Sequence, residues 1–160
     1  MNLSQKIAAA LDGGPDYTTL PNDLSIDGGS HRLTLHLTAS GPVGLAFDSL
    51  EFAVTPSVEW SSDQLNQTAE RIASRLTYLM EPLVVVEHDP IGGEVELRSH
   101  APTTRGDQRA YYEVRLDRQG VLRLSRIAFD EATRRRRPVA CQMTREVLER
   151  LADDLALCIG

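Results

Sequence analysis

Val114-Arg115-Leu116-Asp117-Arg118-Gln119-Gly120-Val121-Leu122-Arg123-Leu124 is the stretch whose reading decides the fold. Apolar and polar residues alternate on both sides of a short polar break, the period-two signature of half-buried strands. If Arg118-Gln119-Gly120 is a three-residue loop with Gly120 in the left-handed conformation, Leu116 faces Leu122 and Val114 faces Leu124. One face of the hairpin is then apolar, and Arg115 faces Arg123 on the other. Pattern and turn chemistry agree, so the unit reads as an antiparallel hairpin, with strands over 110–117 and 121–129.

The same grammar continues outward. Leu33, Leu35 and Leu37 alternate with polar residues, Gly41-Pro42 turns the chain, and Val43, Leu45 and Phe47 carry the alternation back. The phase slips at Asp48-Ser49 before Leu50, Phe52 and Val54, which predicts a bulge or turn there. Leu83–Val86 and Val95–Leu97 flank Asp89-Pro90-Ile91-Gly92 as a further hairpin, in a register that sets Val86 against Val95 and Glu87 against Glu94. Val139, Cys141 and Met143 read as one strand. From Gly13-Gly14-Pro15 to Ser30 the chain reads as a long loop, with a strand fragment near Leu24–Ile26.

Three helices are expected. The spacing of Leu3, Ile7, Ala10 and Leu11 predicts one over 3–11. Leu65, Ala69, Ile72, Leu76 and Leu79 form a stripe over 62–80, and Leu148, Leu151, Ala152, Leu155 and Ile159 form another over 145–158. The two longer helices begin alike: Trp60-Ser61-Ser62-Asp63-Gln64-Leu65 matches Met143-Thr144-Arg145-Glu146-Val147-Leu148 in hydroxyl cap and staple spacing, and Ser61 with Gln64 can form a capping box. The chain therefore reads as one α+β domain over 1–160, an antiparallel sheet of six to eight strands with helices on one face, built from approximate half-repeats 32–80 and 110–159.

At 160 residues, 41% hydrophobic and 25% charged, the chain can bury a core without metal or disulfide. Cys141 and Cys158 have no redox or metal spacing, and no apolar run is long enough for a membrane span. A reduced, cytoplasmic setting away from the membrane follows as the expectation. The net charge of −6 is uneven: residues 1–80 carry 4 basic and 9 acidic side chains, whereas 98–150 carry 13 arginines and 7 acids.

No nucleophile elbow, P-loop or zincin motif is present, so no catalytic, cofactor-binding or metal residue is assigned. His31 and His36 point to opposite sides of a strand, and His88 and His100 read as exposed strand-end residues too far apart to share an ion. The leading expectation is a non-catalytic protein-interaction module, adaptor or chaperone-like, whose partner is another protein and for which a homodimer is compatible. Arg115, Arg123, Arg126, Arg134, Arg135, Arg136 and Arg137 are its candidate contact residues. One alternative is nucleic-acid or polyanion binding through Arg134–Arg137. Alternation divides that run, with Arg135 and Arg137 on one face and Arg134 and Arg136 on the other. A second alternative is a hydrolytic or metal-dependent enzyme using Glu87, Glu94 and Glu96.

In element order and acidity the chain is similar to the class I chaperones of bacterial type III secretion, a likeness of architecture rather than of any residue motif. That likeness implies a dimer binding partner segments without catalysis. The four or five strands expected between Met80 and Thr144 exceed the family's pattern.

Overall fold

A computed structural model describes residues 2–12, 22–99 and 103–160. Within them the order is α1 (Leu3–Asp12), β1 (Asn22–Asp27), β2 (His31–Ser40), β3 (Gly44–Val54), α2 (Ser62–Arg75), β4 (Leu83–Asp89), β5 (Glu94–Ser99), β6 (Thr103–Arg105), β7 (Gln108–Asp117), β8 (Val121–Asp130), β9 (Arg135–Val139), β10 (Cys141–Thr144) and α3 (Arg145–Cys158). The ten strands form one antiparallel sheet whose main path runs β1-β2-β3-β8-β7-β5-β4. The apolar stripes of all three helices join the inward residues of the strands in one core. This is the α+β arrangement that the alternation implied, with more strands than expected. Gly13-Gly14-Pro15 and His100 lie outside the described residues.

Local chemistry explains the most regular parts. β7 and β8 pair with Leu116 opposite Leu122, Val114 opposite Leu124 and Arg115 opposite Arg123, and Gly120 has φ 78°. A side chain there would also collide with Val54. Between β2 and β3 the partner of Leu35 is Leu50 but that of Leu37 is Phe47. The surplus residue falls at Asp48-Ser49, so the bulge absorbs the phase slip and keeps Phe47 and Leu50 both buried. At α2, Ser61 accepts from the Gln64 N–H at 3.2 Å while the Gln64 side chain accepts from the Ser61 N–H at 2.9 Å, a complete capping box.

Three expectations are corrected. α2 stops at Arg75 rather than reaching Met80. Leu76 and Leu79 remain buried, and the chain leaves the helix so that the Tyr78 hydroxyl donates to Asp154 of α3 at 2.6 Å. In the β4–β5 hairpin Glu87 faces Glu96, not Glu94, and His88 faces Val95. A four-residue turn closed by Gly93 N–H to Asp89 O at 2.8 Å, and an extra residue at Val86, shift the register. The strand expected through 139–143 breaks at Ala140.

That break forks the sheet. β3 and β8 pair directly only over 50–53 with 121–124. Beyond, β9 runs inward along β8, from Arg135 opposite Asp130 to Val139 opposite Arg126. β10 then runs outward along β3, from Cys141 opposite Phe47 to Thr144 opposite Gly44. The chain thus enters as a wedge with Ala140 at its apex. The segments read as half-repeats differ here: β3 leads through a loop to α2, whereas β8 reaches α3 only after β9 and β10.

Candidate functional site

Alternation and register divide the charged residues of β4–β9 between two faces. The outer face, opposite the helices, carries Glu94, Glu96 and Arg98 of β5, Arg109, Tyr111, Glu113 and Arg115 of β7, and Arg123 of β8. Cross-strand neighbours bring these together: Glu94 faces Asp117, Glu96 faces Arg115, and Arg98 faces Glu113. Arg115 reaches Glu94 at 3.0 Å, Glu96 at 3.4 Å and Glu113 at 3.5 Å. Arg98 reaches Glu96 at 3.3 Å, and Arg136 of β9 reaches Glu113 at 3.3 Å. The guanidinium groups cover the carboxylates so thoroughly that Glu96 is 7% exposed and Glu113 8%.

This crowding separates the two acids. Burial and the hydrogen bond to Glu113 push the Glu96 carboxyl up from its ordinary value. Burial also acts against ionised Glu113, but the bond with Glu96 and the charges of Arg115 and Arg136 outweigh it and hold Glu113 low. Of the two acids Glu96 therefore holds its proton more tightly and Glu113 gives it up more readily, beneath three arginines. Glu87, the third member of the glutamate set read from the sequence, is exposed on the edge strand and has no ion pair with Arg98 or Arg115.

Beside the lattice, two aromatic rings lie half-open on the same face. Arg98 and Arg136 approach the Tyr111 ring at 5.5 and 5.8 Å, and Arg109 lies 5.5 Å from the Phe129 ring. These residues, with Ser99, line a cavity of about 360 Å³. Arg109 also pairs with Glu131, and Arg123 pairs with Glu51 at 3.2 Å.

The arginine run does not form one patch. Arg134 closes the β8–β9 turn with φ 59°, donating its N–H to Asp130 O at 2.7 Å. Arg136 lies opposite Phe129 on the outer face, while Arg135 and Arg137 lie opposite Asp130 and Ala128 on the helix side. Arg126 also departs from the set read with Arg115 and Arg123. It has the parity of Leu122 and Leu124, so it points inward and is 7% exposed. There its guanidinium lies 4.6 Å from the Tyr112 ring and 3.7 Å from Glu81.

Arg126 opens onto a second cavity, of about 570 Å³, on the helix side of β6–β9. Arg105, Arg126, Arg137, Gln108, Gln142 and Tyr112 give it charged and polar lining, and Met80, Ala110, Ala128 and Val139 supply apolar wall. Glu113, Glu81 and Arg105 escaped the sequence reading. Glu113 shares the parity of Arg115, a usable signal, but its neighbours Glu96 and Arg98 come from the β5–β7 pairing, which no tight turn dictates. Glu81 follows a helical stripe and carries no signal of its own.

The described histidines and Cys141 line neither cavity. His31 Nε2 lies 2.5 Å from Ile159 O and stacks on Phe52. On the opposite side of the strand, His36 is held by Asp23, whose hydrogen bond raises its pKa. His88, read as exposed, is half-buried, with Nε2 lacking a hydrogen-bond partner among the described residues. Burial pushes the Cys141 thiol up to about 12, so it is un-ionised at neutral pH. Among the described residues no three His, Cys, Asp or Glu side chains converge as metal ligands, and no helix is long and apolar enough to cross a membrane. No protein-family model matches this chain, and neither a curated protein nor a solved structure matches it significantly.

Proposed function

We propose that this chain is a non-catalytic, cytoplasmic protein-interaction module, adaptor or chaperone-like, that docks another protein on the outer face of its sheet. The observation that carries the reading is the half-open pair Tyr111 and Phe129 framed by Arg98, Arg109 and Arg136 on the face opposite the helices. Aromatic rings and arginines are the side chains that anchor protein interfaces. The chemistry suits a partner segment that places an apolar side chain between the rings and carboxylates against the arginines. Those arginines already hold Glu96, Glu113 and Glu131, so a partner exchanges ion pairs instead of adding them. Such exchange favours selectivity over bulk attraction to polyanions. The interspersed Glu and Arg side chains are also compatible with a second copy of the chain as the partner.

Edge addition is less favoured. β4 borders the sheet, but its surplus residue at Val86 interrupts the row of backbone groups a new strand would need. Polyanion binding through Arg134–Arg137 is weakened by the division of the run between a turn and two faces.

Affinity capture from native lysate, with Phe129→Ser and an Arg134–Arg137→Ser variant in parallel, tests the proposal. A stoichiometric protein lost with Phe129→Ser supports it. Recovery of nucleic acid alone, lost with the arginine variant and falling steeply with salt, would replace it.

A further inference from the structure

At the wall of the helix-side cavity lies a violation of the usual rule for buried charge. Arg126 and Glu81 have side chains 9% and 6% exposed and stand 3.7 Å apart. Yet Arg126 Nη1 and both Glu81 carboxylate oxygens lack a hydrogen-bond partner among the described residues. Ions withdrawn from water without hydrogen bonds are disfavoured, and a fold tolerates that mainly where a site needs it.

The surroundings indicate the sign of what is missing. Every outer-face arginine named above has a carboxylate partner. In the cavity, Arg137 has only the Gln108 side-chain oxygen at 3.4 Å, and among the described residues no carboxylate pairs with Arg105 or Arg137. The cross-strand ladder places all three arginines on one side: Arg105 faces Gln108, Arg137 faces Ala128, and Val139 faces Arg126. Arg105, Arg126 and Arg137 thus line one concavity, with Glu81 beside Arg126 but outside the lining, and planar guanidinium forks are the natural receptors for oxyanions. At about 570 Å³ the space is that of a small-molecule site, and Met80, Ala110, Ala128 and Val139 provide the apolar surface such sites use.

We propose that this cavity binds a small organic anion, with an oxyanion head held by Arg105, Arg126 and Arg137 and an apolar body against Ala128 and Val139. The head is a carboxylate or a phosphate ester. Glu81 orients Arg126 from behind and disfavours a ligand bearing a second anionic group at its buried end. The site lies on the side of the sheet opposite the proposed docking face, so either can fail without the other.

Titration of the intact chain with benzoate, phenyl phosphate and uncharged benzamide, followed by arginine Nε–Hε NMR shifts, tests the proposal. One or both anions should saturate, shifting Arg126. The tighter of the two identifies the head group. The double variant Arg105→Gln/Arg137→Gln removes exposed side chains and should keep the fold, while weakening binding about tenfold or more. Arg123→Gln on the outer face should leave affinity unchanged. Absence of saturable binding by either anion, benzamide binding as tightly as benzoate, or unaltered affinity in the double variant would overturn the assignment.

Discussion

On the outer face of the sheet Arg98, Arg109, Arg115, Arg123 and Arg136 each pair with a carboxylate. On the helix side Arg126 is buried beside a poorly bonded Glu81, and Arg105 and Arg137 line a cavity with no carboxylate partner among the described residues. The same strands build both faces. One residue of phase decides which face an arginine joins, and with it whether a carboxylate of the outer lattice lies within reach. At the lattice rim, where Arg123 and Glu51 are both exposed, a pair contributes little stability, because exposed ions gain little over water. The helix side holds the core, where each apolar contact is costly to lose.

The contrast can be broken most directly at the core. Ile72 is fully buried in α2, so Ile72→Ala should lower stability by about 2–5 kcal/mol in urea denaturation. A loss within the range of a surface pair would show that the helix layer does not carry the fold.

The next test lies inside the outer lattice. Glu96 binds its proton more tightly in the folded than in the unfolded chain. Its contribution is therefore full below the unfolded carboxyl pKa and is lost as pH rises through the raised folded value. Glu96→Gln fixes the neutral form. The melting temperature of the variant relative to the native chain should rise from about pH 4 toward neutrality. A difference independent of pH would mean that folding does not raise the Glu96 carboxyl.

The smallest effect is expected at the lattice rim. Arg123→Ala breaks an exposed pair with Glu51 and should cost less than about 1 kcal/mol, with salt reducing the difference further. A loss comparable to that of Ile72→Ala would make the outer face a structural element rather than a surface.

How far each face could be read from sequence follows from the same geometry. Gly120, with alternating residues on either side, specifies the β7–β8 register locally, and the inward positions of Val114 and Leu124 follow at once. Ser61 and Gln64 announce the start of α2, since a cap is made within four residues. Arg126 was legible in parity, being in phase with Leu124, but its arginine identity argued for the surface. The β4–β5 hairpin failed because the alternation through Val84, Val85 and Val86 fits more than one register, and only the turn at Pro90–Gly93 with the surplus residue at Val86 selects one. No signal near Ala140 reveals the fork, since Val139, Cys141 and Met143 keep period two across it.

By itself the sequence determined which segments alternate, where two helices are capped and which residues face the core, because those depend on contacts a few residues apart. The wedge of β9 and β10 between β3 and β8, the meeting of Glu96 with Glu113, and the gathering of Arg105, Arg126 and Arg137 around one cavity were decided only by tertiary structure. Each joins segments far apart in the chain, and the free energy that selects such pairings comes from burying a common core, which no local pattern records.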